Sequence, residues 1–246
     1  MYELRKMVTL DLLNLMKNPL WVAYATGFPI LLVIILSFLG GGGNDAMGSL
    51  DYFGITMMLF ATLLSSSFSA NAFMEERIKL PNMRLVMLPV PSYYIPLSKI
   101  VATFIFSVFW YTLDGFLLYG LFKVNFGGGH WPAVWILLVA TDLFAVVLGV
   151  LFCTIFKTET TANQLTSLII QSLALLSGCF FPIYVLGDKI AAISQYSPIT
   201  KVITTIFEVI YDRNFQDYVS TLVIILSFSL IGAVVSLKLF KGEDYL

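Results

Sequence analysis

Two aspartates lie deep inside long apolar stretches of this chain, where a carboxyl group is chemically demanding. Asp114 and Asp142 lie roughly 12 and 16 Å along a helix from the neighbouring ends of the third and fourth apolar stretches. A carboxylate at the centre of a membrane helix costs about 2.5–3.5 kcal/mol on insertion scales. No Lys or Arg lies deep in any stretch to neutralise it. We predict that the two carboxyls lie at similar depth and are protonated, hydrated or bonded to hydroxyls such as Thr112 or Thr141.

These carboxyls have two interpretations, and the sequence leaves both open. They can join one helix to another, because membrane carboxyls often serve as interhelix hydrogen-bond partners. They can instead form polar spots on a translocation route, in which case an ion-coupled secondary carrier using Asp114 and Asp142 is the alternative function. An intramembrane aspartyl hydrolase also needs a carboxyl pair, but Ala140-Thr141 precedes Asp142 where such an enzyme would have Gly-x-Gly.

Other enzyme chemistry finds no support in the residues. One histidine, His130, and two distant cysteines, Cys153 and Cys179, do not make a zinc site. Neither Gly-x-Ser-x-Gly nor His-Glu-x-x-His occurs, and no Lys-Ser or Lys-Thr follows the glycine run Gly40–Gly43. We therefore predict that the chain is not an enzyme, binds no metal or cofactor directly and does not hydrolyse ATP through a P-loop.

The elements that position these residues are long apolar stretches, each near or above the ~20 residues that a helix needs to cross a bilayer. Hydrophobic residues make up 59% of the chain and charged residues 12%, against ~25% charged in a soluble domain. The predicted fold is an all-α polytopic membrane protein, with residues 1–246 forming one domain that contains six transmembrane helices. The six stretches are Leu20–Leu39, Tyr52–Phe73, Ile100–Phe122, Pro132–Phe156, Leu165–Leu186 and Val219–Phe240.

The topology follows from where Lys and Arg fall between the stretches. With the N-terminus in the cytoplasm, the inner segments hold ten of these residues and the outer segments hold four, Lys123, Lys189, Lys201 and Arg213. This bias predicts that both termini are cytoplasmic. The net charge is −1 and no basic block occurs, so no nucleic-acid partner is expected.

Two inner segments carry mixed charge beside apolar residues. Residues 1–19 form a predicted helix at the inner membrane interface, with apolar residues at helical spacing: Leu4, Met7, Val8, Leu12, Leu15 and Met16. Residues 74–99 contain Glu75, Glu76, Arg77 and Arg84, followed by the apolar residues Leu85, Val86 and Leu88. This combination favours a protein contact over a solvated connector, which is the alternative.

The fifth stretch and the outer segment that follows it have their own polar patterns. Asn163, Ser167 and Gln171, followed by Ala174 and Gly178, lie at steps that keep one face of a helix towards another helix or a cavity. In the outer segment 187–218, Ser197-Pro198 is typical of a helix start. The apolar face after it predicts a helix at the outer leaflet, or alternatively a lid; it comprises Val202, Ile203, Ile206, Phe207 and Ile210.

Several motifs resemble one family, the membrane subunits of ABC-2-type exporters, also called type V or G-like. Met74-Glu75-Glu76-Arg77, Leu88-Pro89-Val90-Pro91 and Leu97-Ser98-Lys99-Ile100 resemble the coupling region of this family. The chain reads Ile78-Lys79-Leu80-Pro81 where members often have Glu-x-Gly-Thr. Ser177-Gly178-Cys179-Phe180-Phe181-Pro182 and Tyr196-Ser197-Pro198-Ile199-Thr200 resemble its outer re-entrant region after the fifth span.

The resemblance implies an export permease without a nucleotide-binding domain of its own. A cytoplasmic ABC ATPase dimer, which carries ATP and Mg, would dock on the inner loop through Glu75, Glu76, Arg77 and Arg84. Two permease subunits would pair, as a homodimer or with a sister chain, so that the serine-rich second span and the fifth span face a central cavity.

The polar residues inside the stretches and the resemblance together predict roles for residues along the passage. The expected path residues are Gln171, Ser167, Asn163, Asp142 and Asp114, and the expected outer gate consists of Phe180, Phe181, Pro182 and Pro198. Apolar walls that include Met57, Met58 and Phe60 favour an amphiphilic cargo, as in multidrug or peptide efflux or lipid export. The expected location is a bacterial cell membrane, in contact with its lipids.

Overall fold

A computed structural model describes residues 2–39, 48–74, 91–156, 159–182 and 187–240, and within these ranges every regular element is a helix. The α-helices are α1 (Tyr2–Lys17), α2 (Pro19–Leu39), α3 (Ser49–Met74), α4 (Tyr94–Phe122), α5 (Trp131–Phe156), α6 (Glu159–Leu176), α7 (Asp188–Ser194), α8 (Pro198–Phe207) and α9 (Tyr218–Leu239). A 3₁₀ turn, Gly128–His130, precedes α5, and a π-helical turn, Glu208–Asp212, follows α8. The predicted all-helical architecture is confirmed for these residues.

Five helices in the described ranges are long and apolar enough to cross a membrane: α2, α3, α4, α5 with its preceding turn, and α9. They correspond to the first, second, third, fourth and sixth predicted stretches. The fifth stretch, predicted over Leu165–Leu186, differs, because α6 begins earlier at Glu159 and ends at Leu176. Its first half is rich in polar residues such as Asn163 and Gln164, so a sixth crossing stays a prediction.

The helices alternate in direction and form a bundle with two distinct ends. At the end that holds α1, Met7 packs in one apolar cluster with Phe73, Cys153 and Phe240, which belong to three other segments. At the opposite end, called the far end below, the Tyr218 hydroxyl donates to the Ala133 carbonyl over 3.1 Å. Both ends are thus fastened by contacts between elements distant in sequence.

Helix α3 is the centre of the bundle, and it packs most extensively against α5. Small residues let the two backbones approach: the Ser69 hydroxyl donates to the Val146 carbonyl over 2.9 Å, and a Cβ atom on Gly149 would lie 2.1 Å from the Ser66 carbonyl oxygen. The serines of the second span therefore allow close packing between α3 and α5. Ser65, Ser66 and Ser69 are buried in this way. The exporter resemblance implied that this span faces a central cavity, but these three serines do not line an open cavity.

Replacing Gly149 with alanine is expected to destabilise the bundle by about 1–3 kcal/mol, because the new methyl group must push the α3 backbone away. The measurement is the midpoint of SDS-driven unfolding in mixed micelles. Gly27→Ala is the matched control, since Gly27 lies in α2 with no atom near the position of a Cβ. Equal midpoints for the two variants would show that α3 and α5 do not touch at this point.

Candidate functional site

A buried ion pair joins α1 to the beginning of α4. The Lys99 ammonium lies 2.5 Å from Asp11 Oδ1, and the Ser98 hydroxyl donates to Asp11 Oδ2 over 2.9 Å. The Lys99 side chain is 2% exposed and that of Asp11 12%. We call Asp11, Ser98 and Lys99 the clasp; it contains the one salt bridge found in the described ranges.

The clasp lies at the edge of the predicted coupling region. Lys99 is the last residue of the segment 74–99, so the pair ties α1 directly to the chain that leaves this segment. The predicted coupling residues Glu75, Glu76, Arg77 and Arg84 lie outside the described residues, and their docking role stays a prediction. What the structure adds is a buried charged link between α1 and the first turns of α4.

Asp142 lies in the core, where three helices meet. Its Oδ2 accepts a hydrogen bond from Ser107 of α4 over 2.6 Å, and its backbone carbonyl lies 3.4 Å from the Ser65 hydroxyl of α3. Thr112 and Thr141, the expected partners, instead donate to carbonyls within their own helices. The Ser107 bond joins α4 to α5, as the interhelix interpretation requires. The second oxygen, Oδ1, has no partner among the described residues.

Asp114 is also buried, but it does not lie at the depth of Asp142. It follows Ser107, the partner of Asp142, by seven residues along α4, which corresponds to about 10 Å. The prediction of similar depth is wrong because the beginning of α5 is not level with the end of α4. Trp135, in the first turns of α5, donates to Thr112, which lies ten residues before the end of α4 at Phe122. Neither carboxyl oxygen of Asp114 has a partner in the part of the chain that the structure describes.

Helix α6 presents a polar face that no other element of the described chain covers. A groove of about 580 Å³ is lined by residues of α6 alone: Asn163, Gln164, Ser167, Leu168, Gln171, Ser172 and Leu175. Thr166, Ile170 and Ala174 on the other side of α6 are buried against the bundle. The structure thus places three predicted path residues, Asn163, Ser167 and Gln171, on one open face, and it moves Ala174 off that face.

The open face is wider than the sequence stripe suggested. Gln164, Leu168 and Ser172 each follow a predicted stripe residue by one position and extend the face sideways. The Asn163 amide donates to the Asn71 side chain of α3 over 2.9 Å, which fixes one edge of the face against the bundle. The lining residues occur as adjacent pairs at 163 and 164, 167 and 168, and 171 and 172. This repeat of four residues is the sequence signal for the wider face.

The predicted outer-gate residues gather at the far end, beyond α6. The Tyr52 hydroxyl of α3 donates to the Gly178 carbonyl over 2.5 Å, and the Phe180 ring packs edge-on against Phe60 with 4.9 Å between centroids. Phe181 is half exposed, and Pro182 follows it. Pro198 is the first residue of α8, as predicted, although the Ser197 hydroxyl pairs with Ser177 instead of capping the helix. The gating role itself stays a prediction.

Helix α8 packs on the protein and does not turn its apolar face to lipid. Val202, Ile203 and Ile206 are buried in the main core cluster, and the Thr205 and Thr221 hydroxyls form a buried 2.9 Å hydrogen bond to α9. The predicted placement of this apolar face in the outer leaflet therefore differs from the structure. The reason is that the main core cluster extends to the far end of the bundle and covers this apolar face there.

Comparison with known proteins gives one clear result. The sequence model of the ABC-2 type transporter family matches residues 2–211. This range includes α1 with the clasp, both buried carboxyls, the open face of α6 and all of α8. No curated protein matches the chain.

Proposed function

Because the chain belongs to the ABC-2 type transporter family and is a multi-pass membrane permease subunit, we propose that it moves an amphiphilic substrate outward with work from a separate ATPase. Membership of this family accounts for the role of transport subunit. We propose in addition the outward direction of transport, the amphiphilic cargo and the separate ATPase.

The open polar face of α6 is the observation that carries this proposal. Gln171, Ser172 and Gln164 are exposed along a helix whose other side is buried in an apolar bundle. Polar side chains facing hydrocarbon are costly, so this face must meet a second subunit or a hydrated passage. We propose that α6 crosses the membrane as the sixth span and that its open face meets both. This face would line a passage between two permease chains, either two copies of this chain or one copy and a sister chain.

The clasp supplies a mechanical link for the proposed coupling. A cytoplasmic ATPase dimer, which holds ATP and Mg, would dock on residues 74–99 while both chain termini face the cytoplasm. Displacement of that segment would move Lys99 and, through the ion pair, Asp11 and the whole of α1. The segment and α1 would then move as one body when nucleotide binding closes the inner side.

The proposed cargo is an amphiphilic drug, peptide or lipid. The α6 groove alternates polar side chains such as Gln171 with exposed leucines, Leu168 and Leu175. A surface of this composition suits a molecule that has both an apolar body and a polar group. The proposed location is a bacterial cell membrane.

The proposal is tested by isolating the chain from its native membrane in mild detergent. An ABC ATPase is expected to copurify in a fixed ratio, because the transport subunit depends on it for work. Isolation of the active transport unit with no ATPase attached would contradict the proposal.

Gln171→Cys tests the proposed pairing of permease chains. With a short bis-maleimide in native membranes, this variant is expected to link to a second permease chain, since Gln171 lies on the open face. The matched control is Leu230→Cys. Leu230 is 67% exposed and lies on α9, outside the open face of α6. The native cysteines are both buried. Reagent-treated Gln171→Cys that stays at the 27.5 kDa of a single chain would contradict the pairing.

A further inference from the structure

A second cavity lies between α4 and α5 near the far end, away from the α6 groove. Its volume is about 300 Å³, at the lower end of the range for small-molecule pockets. Half of its lining residues are aromatic: Tyr111, Phe116, Tyr119, Phe126, Trp131 and Trp135. The Trp135 ring is held in place, because its Nε1 donates to the Thr112 hydroxyl over 3.0 Å. We call this space the aromatic cavity.

A much smaller space lies next to the aromatic cavity on the side of the bundle core. It measures about 20 Å³, shares Tyr111, Thr112 and Trp135 with the wall of the aromatic cavity, and is also lined by Asp142. A volume of this size holds about one water molecule. The carboxyl of Asp142 is 1% exposed, and its Oδ1 has no partner among the described residues. A buried carboxyl oxygen with no partner among the described residues thus belongs to a residue that lines the small space next to the aromatic cavity.

No cation of the described chain is placed to pair with this carboxyl. Lys99 is the one buried Lys or Arg in the described ranges, and it is already bound to Asp11 at the α1 end. The Ser107 hydroxyl satisfies only Oδ2 of Asp142. A cation supplied from outside would therefore complete the electrostatics of this site.

We propose that the aromatic cavity binds an organic ammonium ion with a small apolar body. Aromatic faces attract such cations through their quadrupoles, and the attraction grows when the cation is desolvated. A bound cation favours the ionised form of the Asp142 carboxyl, and the resulting carboxylate adds a Coulomb attraction that the apolar surroundings screen far less than water does. The mouth is formed by Phe116 and Tyr119, each 63% exposed, so the ligand enters from the outside of the bundle. This site is separate from the α6 groove and does not depend on the proposed export function.

The test uses benzyltrimethylammonium and its uncharged analogue neopentylbenzene, which have the same shape. Radiolabelled benzyltrimethylammonium is bound to the purified chain in nanodiscs of phosphatidylglycerol, which has no ammonium group, and each unlabelled compound competes for the site. The cation is expected to compete about tenfold better than the uncharged analogue. Equal competition by the two compounds would overturn the proposal.

Three variants connect the binding to the cavity. Asp142→Asn keeps the shape of the site and is expected to remove most of the preference for the cation. Gly115→Leu fills the cavity, because Gly115 lines it and a Cβ there meets only Met58 Cε at 3.8 Å, and it should abolish specific binding. The matched control is Gly120→Leu on the same helix, where nothing lies within 4 Å of the position of a Cβ. An unchanged cation preference in Asp142→Asn, or unchanged binding in Gly115→Leu, would overturn the proposal.

The ammonium group has two natural sources, a free organic cation or a lipid headgroup. Comparing phosphatidylglycerol with phosphatidylcholine nanodiscs, both at about 1 M salt so that the surface charge of phosphatidylglycerol is screened, separates them. Weaker probe binding in the phosphatidylcholine discs identifies the choline headgroup as an occupant, and equal binding in both lipids identifies a free cation. Either result supports an ammonium site, whereas absence of specific probe binding in both lipids contradicts it.

Discussion

Replacing Lys99 with alanine is expected to lower the free energy of unfolding by about 3–5 kcal/mol, because it leaves the Asp11 carboxylate without its buried partner. The Ser98 hydroxyl would remain as the only donor to Asp11. The loss should appear as a lower midpoint of SDS-driven unfolding in mixed micelles. In the assembled transporter the same variant should release α1 from α4 and weaken the coupling of ATP hydrolysis to transport.

Two further variants separate the ion pair from a general effect of charge. Asp11→Leu combined with Lys99→Met removes both charges and should recover much of the lost stability, since no charge is then left unpaired. Lys6→Ala removes an exposed cation of α1 and should leave the midpoint unchanged. A Lys99→Ala midpoint equal to that of Lys6→Ala would show that the clasp does not stabilise the fold.

Replacing Glu76 and Arg77 together with alanine is expected to reduce transport per ATP hydrolysed by about tenfold or more, which corresponds to about 1.4 kcal/mol of lost coupling. The reason is that these residues lie in the segment proposed to receive the ATPase, while the apolar spans that direct insertion are unchanged. Transport and ATP hydrolysis are measured on the same reconstituted complexes, so that their ratio reports coupling alone.

The matched control for this double variant is Arg213→Ala with Asp217→Ala. These residues carry the same two charges, are exposed and lie at the far end. The control should insert and couple like the unaltered protein. Full coupling in the Glu76 and Arg77 variant would remove the docking role from the segment 74–99.

The helical architecture could be predicted because its signals are local and strong. Long apolar runs predicted five of the long helices, and Pro198 marked the beginning of α8. The end of α6 could not be predicted in the same way. The apolar run continues to Leu186, but the chain turns at Gly178, where φ is +82° and the Tyr52 hydroxyl holds the carbonyl. That contact joins residues far apart in sequence and leaves no local pattern.

The clasp is the feature that the sequence analysis missed, although a signal was present. Asp11 falls at helical spacing from Met7, Val8 and Leu15, so it lies within the face of α1 that turns towards the bundle. A charge in the middle of an apolar face indicates a buried partner. That the partner is Lys99 depends on how α1 crosses α4, which only the tertiary structure shows.

The buried carboxyls show a second limit of prediction from sequence. Their presence inside spans was evident, but their depths were counted from the ends of predicted stretches. The stagger between α4 and α5 depends on the connector at 123–130 and on packing such as that of Trp135 against Thr112. For this reason the partner of Asp142 is Ser107 and not one of the hydroxyls nearer to it in the sequence.

The most direct test of the permease account compares the purified chain alone with the chain and its ATPase in proteoliposomes. The probe is the amphiphilic dye Hoechst 33342, whose fluorescence reports its removal from the bilayer. We predict that the chain alone moves no dye, even under an imposed proton or sodium gradient, and that addition of the ATPase with ATP and Mg starts dye transport. Gradient-driven transport by the chain alone would contradict the account and favour an ion-coupled carrier that uses Asp114 and Asp142.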